Sequence, residues 1–304
     1  NLNMIFNNKN ITTVGSIALD NIETRFEKKE RVVGGSAIYF SIAASLFTQV
    51  HIIGIIGDDF PQEKIKMLKG RNVNTSNIIT CSGKTFSWGG KYSDDFHTRE
   101  TLFTNLGVFE NFNPIVSNNL ANKHNLLFLA NIHPALQMAV LKQCPMASTV
   151  ITDTMNLWID TDLDGLLQVI KKTNILILND EEAKQLINDT NLEKCANQIH
   201  QMGPKEVIIK LGSKGCLYST IKEKKYIGAF KDVTVKDPTG AGDSFAGAFL
   251  GYLTKYGHEK IEDALIFGNA LASYTIESIG IDVLQNITEE TIMKRFLKIK
   301  KELL

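Results

Sequence analysis

The sequence predicts a three-layer α/β fold with a mainly parallel central sheet, helices on both faces and a small β-lid. Short β-branched runs alternate with amphipathic segments over most of the 304 residues, which is the rhythm of repeated β-α-β units. Several strand-like runs are continuously apolar, as parallel strands buried on both faces are. Two polar stretches that carry aromatic residues break this rhythm, and they predict short strands outside the main sheet.

The predicted elements follow one another through the whole chain. Strands of the main sheet are expected at Thr12–Ile17, His51–Ile56, Leu126–Leu129, Thr149–Thr152, Ile175–Leu178, Val207–Lys210, Cys216–Ser219 and Lys225–Ala229. Helices are expected at Ile38–Phe47, Gln62–Lys69, Ala135–Gln143, Leu163–Lys171, Glu181–Ile187, Leu192–Met202, Gly242–Tyr256, Ile261–Ser278 and Glu289–Lys301. The lid is expected to consist of antiparallel strands in segments approximately 20–33 and 82–105. No internal repeat and no Pro/Gly-rich linker divides the sequence, so residues 1–304 are expected to form one domain.

The composition excludes several classes of function. Lysine plus arginine and aspartate plus glutamate balance at 33 each, so no net field draws the protein to nucleic acid or to a membrane surface. The longest apolar runs have the length of a strand and are too short to span a membrane. The four cysteines are far apart, which argues against a zinc site and a disulfide framework. The start lacks the basic and then apolar profile of a secretory signal, and we expect a cytoplasmic protein.

The strongest local motif is DPTGAGD at residues 237–243, which precedes a stretch of small residues. Its proline and first glycine predict a turn, after which a helix begins with free backbone N–H groups. These N–H groups, at Gly240, Ala241 and Gly242, favour an anion such as a phosphate. Asp243 would then lie where it can take a proton from an attacking hydroxyl. The alternative is that Asp243 only caps the helix.

This motif resembles the second signature of the ribokinase, or PfkB carbohydrate kinase, family. The resemblance runs from Gly15 to about Gly280 in the family's order and so covers nearly the whole chain. It implies a ribokinase-like fold and an ATP-dependent kinase that phosphorylates a hydroxyl of a small sugar-like substrate, with Mg²⁺ as cofactor. Asp243 would be the catalytic base, and residues 240–242 would form the anion hole.

The substrate side of the resemblance lies in the first forty residues. VGSIALD at residues 14–20 resembles the family's opening strand, which ends in an aspartate that binds sugar hydroxyls, here Asp20. Gly34, Gly35 and Ser36 resemble the Gly-Gly loop before a helix. Tyr39 departs from ribokinase, which has a hydroxyl-binding asparagine there; an aromatic ring suits the apolar face of a sugar, a cyclitol or a nucleoside. Without the resemblance, Asp20 is expected to be a solvated turn residue and the glycines an ordinary turn.

The nucleotide side of the resemblance lies at later strand ends. Asn179 and Glu182 match the family's N-x-x-E motif and would help to hold the nucleotide and hydrated Mg²⁺, although a capping box has the same residues at the same spacing. Lys210, Gly212 and Gly215 resemble the nucleotide-binding loop. Further residues resemble positions beside the adenine or the phosphates: Asn269, Asp153 and Asn156. Ordinary turns and a polar helix face explain these later matches without any ligand.

Several nearby features are not assigned to catalysis. Asp58 and Asp59 are expected to cap the helix that follows them. SGKT at residues 82–85 lacks the first glycine of a P-loop, because Ile78 stands at that position. Trp88 is expected to pack within the lid rather than to stack on a base. His133 is expected at the start of a helix.

Three points stay open at the level of the sequence. Some members of the family bind a monovalent cation at the aspartate that begins the second signature, here Asp237, with Ser278 and Gly280 in the region of the other ligands; K⁺ is therefore one option. Members of the family commonly pair through their lid strands, so a homodimer is another. The function itself has two alternatives, a nucleoside kinase and a non-catalytic small-molecule sensor with the same fold.

Overall fold

The computed structural model describes residue 6, residues 9–96 and residues 98–303. The strands are β1 (Ile11–Val14), β2 (Ala18–Glu23), β3 (Lys28–Gly34), β4 (Val50–Gly57), β5 (Val73–Cys81), β6 (Ser87–Tyr92), β7 (Arg99–Asn105), β8 (Leu126–Leu129), β9 (Thr149–Asp153), β10 (Ile175–Asn179), β11 (Glu206–Lys210), β12 (Cys216–Thr220) and β13 (Lys224–Ile227). The helices are α1 (Ser36–Ala44), α2 (Gln62–Gly70), α3 (Asn118–Ala121), α4 (Pro134–Gln143), α5 (Asn156–Thr161), α6 (Leu163–Ile170), α7 (Asp180–Ile187), α8 (Leu192–Met202), α9 (Ala241–Tyr256), α10 (Ile261–Thr275) and α11 (Glu289–Glu302).

The larger sheet is mainly parallel and has the strand order β13-β12-β11-β10-β9-β8-β1-β4-β5. β1 lies between β8 and β4 and runs parallel to both. Among the described strands of this sheet, the antiparallel pairs are β11 with β12 and β12 with β13. The carboxyl ends of the parallel strands therefore meet along one edge, which is where open α/β sheets bind their ligands.

Helices cover both faces of this sheet. Because successive side chains of a strand point to opposite faces, Ile175 and Ile177 of β10 pack in the core formed with α1, α9, α10 and α11. Leu176 and Leu178 pack on the other side with α7 and α8. Burial of each such side chain is worth about 1.5–3 kcal/mol. The prediction of a three-layer fold is confirmed. No described helix is both long and apolar enough to cross a bilayer.

The smaller sheet forms the lid and has the order β3-β2-β6-β7. β2 pairs antiparallel with β3, and β6 pairs antiparallel with β7, but β2 and β6 run parallel. The expectation of antiparallel lid strands is wrong for this central pair. β2 follows β1 and β6 follows β5, so both leave the carboxyl edge of the main sheet in the same direction.

The first predicted strand is too long. β1 ends at Val14, and a short connection leads into β2, so Asp20 lies on a lid strand and not at the end of a main-sheet strand. The backbone leaves the main sheet at Ser16, whose N–H donates to Ser36 Oγ over 3.1 Å instead of to a neighbouring strand.

Two other local predictions fail. The predicted elements omit β5, which is an edge strand with polar residues among its apolar ones, and an edge strand does not need a continuous apolar run. Helix α2 has Pro61 at its N-cap and no side-chain cap, so the predicted capping role of Asp58 and Asp59 is wrong. Asp59 instead accepts hydrogen bonds from the N–H and the hydroxyl of Thr85 at 2.8 and 2.7 Å, and it fastens the loop that leads into the lid. Asp58 accepts one from Ser82 at 3.3 Å.

A buried polar triad lies at the opposite end of the main sheet from the lid. Glu206, the first residue of β11, accepts a hydrogen bond from the Tyr218 hydroxyl at 3.0 Å and lies 2.8 Å from His258 Nε2. The bond with Glu206 raises the pKa of His258, although burial opposes this. The triad therefore ties the segment after α9 to the sheet most strongly when the imidazole is charged.

We predict that Glu206→Gln lowers the free energy of unfolding by about 1–3 kcal/mol at pH 6, the range for a hydrogen bond to a charged group. Since the folded-state pKa of His258 is raised, its contribution is complete below the ordinary histidine pKa and is lost as the pH rises through the raised value. Urea unfolding at pH 6 and pH 9 measures this dependence. Glu302→Gln, which removes an exposed ion pair with Lys231, is the control and should change stability by less than about 0.5 kcal/mol. A Glu206→Gln effect that is the same at both pH values would contradict the prediction.

Candidate active site

A cavity of about 890 Å³ lies between the lid and the carboxyl edge of the main sheet. Loops that follow three parallel strands contribute Ser16, Asn131 and Met155, and the lid contributes Trp88 and Arg99, among others. The inner end of the cavity is polar and contains several of the predicted residues: Asp20, Gly35, Ser36, Tyr39, Gly240 and Asp243. The substrate-side and second-signature motifs, more than 200 residues apart in the sequence, therefore border one space.

Helix α9 begins at this inner end. Gly240 is its N-cap and has left-handed backbone angles (φ 75°), and the helix continues from Ala241. The Gly240 carbonyl accepts hydrogen bonds from the Ser244 N–H at 2.9 Å and the Ser244 hydroxyl at 2.8 Å. A helix leaves its first N–H groups without intrahelical partners, and their partial positive charge attracts anions. The predicted helix N-terminus is confirmed, one residue earlier than expected.

Glycine at position 240 is required by both conformation and space. A Cβ at this position would lie 2.4 Å from the ring of Tyr39, which supports the turn from below. The positive φ is in addition costly for any residue with a Cβ. The Tyr39 ring thus limits how closely the turn before α9 can approach α1.

Asp243 lies in the first turn of α9 and faces the cavity. Burial of the carboxyl raises its pKa to about 7, the negative charge of Asp153 adds to this, and Lys210 opposes it. The capping alternative is not supported, because no side-chain cap is present at the start of α9. A carboxyl with such a pKa exchanges protons readily near neutral pH.

Lys210 connects the strand ends to this helix. Its ammonium lies 3.2 Å from Asp153 Oδ1, and both side chains are largely buried. The ammonium also lies 2.8 Å from the point that a Cβ of Gly242 would occupy, so it packs against the first turn of α9. Burial disfavours its charge, but the carboxylates of Asp153, Glu182 and Asp243 outweigh this effect and raise the pKa of Lys210.

Asn179 and Glu182 form a capping box at the start of α7. The Glu182 carboxylate accepts from the Asn179 N–H at 2.7 Å and from its side-chain amide at 2.8 Å, while the Asn179 side chain accepts from the Glu182 N–H at 2.8 Å. Asn179 pairs in register with Lys210 of β11, which brings the two motifs together. Burial raises the pKa of Glu182 to about 7, and Lys210 opposes the rise. The structural alternative for this pair is confirmed, and the magnesium role stays a prediction.

These residues fit a hydrated magnesium ion better than a directly bound one. Within the described ranges, no group of three or more His, Cys, Asp or Glu side chains is placed to hold a metal ion. Mg²⁺ usually keeps several water molecules and takes only one or two carboxylates beside the phosphates of its nucleotide. The carboxylates of Asp153 and Glu182, whose charges both act on Lys210, satisfy that requirement.

Asp20 is buried, with 4% of its surface exposed. Its Oδ1 accepts from the Trp88 N–H at 3.2 Å, and its Oδ2 lies 2.7 Å from where a Cβ of Gly34 would be. Burial raises its pKa to about 7, and Asp237 adds to the rise. The alternative of a solvated turn aspartate is wrong, because lid strands cover this side chain on both sides. Gly34 is needed here because any side chain would displace the carboxylate.

Ser36 and Tyr39 both lie on α1, but their hydroxyl groups differ in the hydrogen bonds that they make. Ser36 Oγ accepts from the Ser16 N–H and donates to the Asn131 carbonyl over 3.2 Å, and so joins the loops after β1 and β8. Tyr39 borders the cavity but is only 1% exposed, and its hydroxyl has no hydrogen-bond partner in the described part of the chain. Burial, and then the charges of Asp237 and Asp20, raise the pKa of Tyr39.

Asp237 is fully buried behind the turn. Its two carboxylate oxygens accept from the N–H groups of Thr239 at 2.9 Å and Gly280 at 3.2 Å, and burial raises its pKa. Among the described residues no ion pair includes Asp237, so a monovalent cation bound beside it would offset the cost of burying the charge. The residues therefore fit the K⁺ option. Ser278 Oγ accepts from the Val283 N–H at 3.3 Å.

The remaining nucleotide-side residues meet at the edge of the main sheet. The Asn269 side chain donates to the Gly228 carbonyl at 3.0 Å and to that of Ile227 at 3.4 Å. Gly215 closes the loop that contains Gly212 and lies against the Ile227 carbonyl as well. Asn269 and this loop are thus brought together, but both lie outside the set of residues that line the cavity under the lid.

The outer part of the cavity is aromatic, as the nucleoside-kinase alternative predicts, but the set of residues that forms it was not predicted. It is lined by Phe86, Phe109, Phe112, Leu136, Leu157 and Trp158. These residues come from four separate segments, and no sequence pattern links them. His133 accepts from the Ala135 N–H as the N-cap of α4 and stacks edge-on against Trp158, so its predicted position at a helix start is confirmed. Trp88 packs in the lid as expected, with its Nε1–H donating to Thr101 at 3.2 Å, but it also borders the cavity.

Transfer of a phosphoryl group to an alcohol needs an anion-binding cradle, a nearby base and exclusion of water. A helix N-terminus, the carboxyl of Asp243 and the lid at this cavity are compatible with these needs. Comparison with known proteins agrees with that class. The sequence model of the pfkB family of carbohydrate kinases matches residues 8–286. The chain belongs to this family, whose members are phosphotransferases with an alcohol group as acceptor.

Similar proteins include both nucleoside and sugar kinases. The nucleoside kinase of Methanocaldococcus jannaschii is 24% identical over 283 residues, which cover 89% of this chain and 91% of that protein. The ribokinase of Staphylococcus aureus is 32% identical over 128 residues, which cover 40% of this chain and 41% of that protein. The crystal structure of the M. jannaschii kinase matches with a TM-score of 0.76 at 23% identity, and it covers 95% of this chain and 98% of that one.

Structures of related proteins with bound ligands share the same fold. Arabidopsis thaliana ribokinase, determined with ribose and ATP, has a TM-score of 0.76 at 22% identity and covers 95% of this chain and 98% of its own. Other matching structures contain ATP with Mg²⁺, or fructose with ADP and a potassium ion. These likenesses establish the ribokinase-like fold with its β-lid.

We predict that Gly240→Ala lowers the free energy of unfolding by about 1–3 kcal/mol, because the new Cβ is strained at this φ and overlaps the Tyr39 ring. Gly70→Ala is the matched control: Gly70 ends α2, and a Cβ there meets no atom within 4 Å. That variant should be unchanged or more stable by up to about 1 kcal/mol. Denaturant unfolding of both variants measures the difference. Equal free energies of unfolding for the two variants would contradict the conclusion that the Tyr39 ring supports this turn.

Proposed function

We propose that this protein transfers the γ-phosphoryl group of ATP to a hydroxyl of a sugar-like small molecule, with Asp243 as the base and the amides of Gly240, Ala241 and Gly242 as the anion hole. The supporting observation is that Asp243, at a helix N-terminus, and the buried Asp20 border one cavity under the lid. An acceptor held at Asp20 therefore presents its hydroxyl next to an anion-binding helix end.

The acceptor is held at the inner end of the cavity. Asp20, which borders the cavity, accepts hydrogen bonds from two substrate hydroxyls. Gly34 and Gly35 let the backbone approach, and Ser36 fixes the loop beside them. Tyr39 lies beneath the turn, and its unpartnered hydroxyl gains a partner when an acceptor or a water molecule is bound.

Asp243 takes the proton of the acceptor hydroxyl as the phosphoryl group is transferred. A base is most effective when its pKa lies near the working pH, and the pKa of about 7 meets this condition. Lys210 lies against the same helix turn and stabilises negative charge on the transferred group. The amides of residues 240–242 do the same without needing to reorganise.

The nucleotide is proposed to bind along β10, β11 and β13. Asn179 and Lys210 lie toward its phosphates, and Gly212, Gly215 and Asn269 line its adenosine side. Mg²⁺, when bound, neutralises phosphate charge. Glu182 would hold it through water, since its own oxygens are already bonded to Asn179. Asp237 would hold a monovalent cation behind the anion hole.

A nucleoside is a second candidate for the acceptor. The outer part of the cavity is apolar and aromatic, and its volume of about 890 Å³ exceeds what a single sugar ring fills. Phe109, Phe112 and Trp158 offer flat surfaces on which a base can stack. A simple sugar would leave these side chains without a ligand contact.

A panel of sugars, cyclitols and nucleosides, assayed for ADP release with ATP and Mg²⁺, tests the proposed function. We expect turnover with at least one class of acceptor, and nucleosides above their free sugars if the aromatic part of the cavity binds substrate. Binding detected by calorimetry without any ADP release across the panel would instead indicate a non-catalytic sensor and would refute the kinase proposal.

Asp243→Asn tests the base directly. We predict a fall in kcat of about 10²–10⁴-fold with a KM for ATP that changes little, because the base acts on the proton and not on nucleotide binding. The folded-state pKa of about 7 lies above the ordinary value of 3.8, so ionising Asp243 costs stability as the pH rises between these values. The variant should therefore be at least as stable as the wild type at pH 8.

The control for this variant is Asp164→Asn. Asp164 also lies in the first turn of a helix, α6, but is exposed and outside the cavity. Its kcat should remain within about twofold of wild type. Retained turnover by Asp243→Asn, in a protein that unfolds like the wild type, would rule out Asp243 as the base.

A further inference from the structure

A partly buried hydrogen bond joins the lid to the turn before α9. Tyr92, the last residue of β6, is 6% exposed, and its hydroxyl lies 2.8 Å from Thr239 Oγ1 across 147 positions of sequence. Thr239 directly precedes Gly240, the N-cap of α9. The N–H of Thr239 donates to Asp237 Oδ1, so the threonine has one bond on the lid side and one on the side of the main domain.

A second, apolar contact joins the lid to the same region. Ile22 and Tyr92 of the lid form a buried cluster with Ile279, and Val32, Trp88 and Phe96 pack against it. Ile279 precedes Gly280, whose N–H donates to the other carboxylate oxygen of Asp237. The lid therefore touches both of the backbone segments that hold Asp237.

The orientation of the Thr239 side chain affects the turn that starts α9. Its own backbone leads into the left-handed Gly240, after which α9 begins, and both Gly240 and Asp243 border the cavity. Without the bond to Tyr92, the turn would keep its bonds to Asp237 and Ser244 and its contact with the Tyr39 ring, but it would lose this hydrogen bond to the lid. The bond to Tyr92 can form only while the lid is closed over the cavity, because Tyr92 belongs to the lid sheet.

We propose that Tyr92 is a positioning residue, which acts through Thr239 to fix the anion-hole turn when the lid closes. This inference rests on the proposed function, since it assumes that the amides of residues 240–242 bind the transferring group. Closure of the lid then excludes water and completes the anion hole at the same time. ATP that is bound under an open lid faces an imperfect anion hole, which limits its wasteful hydrolysis.

The kinetic test is a double-mutant cycle with Tyr92→Phe and Thr239→Val, each of which removes a hydroxyl and keeps the shape. We expect each single variant to lose about tenfold in kcat, with the KM for ATP within about threefold of wild type. The double variant should lose no more than either single one, because both remove the same bond. The cycle also separates this bond from any effect of Arg99, which pairs with Tyr92 in the lid.

Tyr256→Phe is the control, since this tyrosine ends α9 with 36% of its surface exposed, bonds to Glu289 and lies outside the cavity. Its kcat should stay within about twofold of wild type. A Tyr92→Phe variant with wild-type kcat, or single effects that simply add in the double variant, would overturn the proposal.

A structural test does not depend on finding the acceptor. Hydrogen–deuterium exchange of the segment 237–244 in the full-length protein should become faster in Tyr92→Phe, while exchange of β8 and β10 in the core stays unchanged. Unchanged exchange at 237–244 would overturn the positioning role even if the protein is a kinase. Faster exchange there, together with no turnover by the wild type on any acceptor, would leave the bond established and reject the proposed function instead.

Discussion

The site depends on one constraint: the carboxyl of Asp243 is kept partly out of water at the N-terminus of a helix. Desolvation raises its pKa to about 7, with a further contribution from Asp153 and opposition from Lys210. The same shielding that suits this group to the proposed role of a base makes its ionised form costly to the fold. Such a cost is typical of a functional site and is offset by the large apolar core on either side of the sheet.

The fold places this group by aligning strand ends. Asp153, Asn179 and Lys210 are the last residues of three neighbouring strands, so their side chains reach one edge of the sheet. Helix α9 then brings Asp243 and Gly242 against Lys210 from above. The lid completes the enclosure with β2, which carries Asp20, and β6, which carries Tyr92. The proposed base, anion cradle and acceptor contacts thus come from distant parts of the sequence, and their proximity is a property of topology.

Much of this could be predicted from the sequence, because the determining signals are local. Apolar strands such as Ile175–Asn179, and the turn that starts α9, are each specified by a few adjacent residues. Signals that depend on distant contacts were missed or misread. Asp59 resembles a helix cap but bonds to Thr85, and Asp20 resembles a strand end but lies in the lid. The aromatic part of the cavity, with Phe109 and Trp158, comes from segments with no shared periodicity.

The central claim concerns the proton affinity of one carboxyl group, and a titration of that group tests it most directly. Carbon-13 NMR of protein labelled at the aspartate side-chain carboxyls follows each group from pH 4 to pH 9, and the signal that disappears in Asp243→Asn identifies the site. The account predicts that this signal titrates near pH 7. A midpoint near the ordinary aspartate value of about 4 would show that the carboxyl is well hydrated, and it would contradict the account.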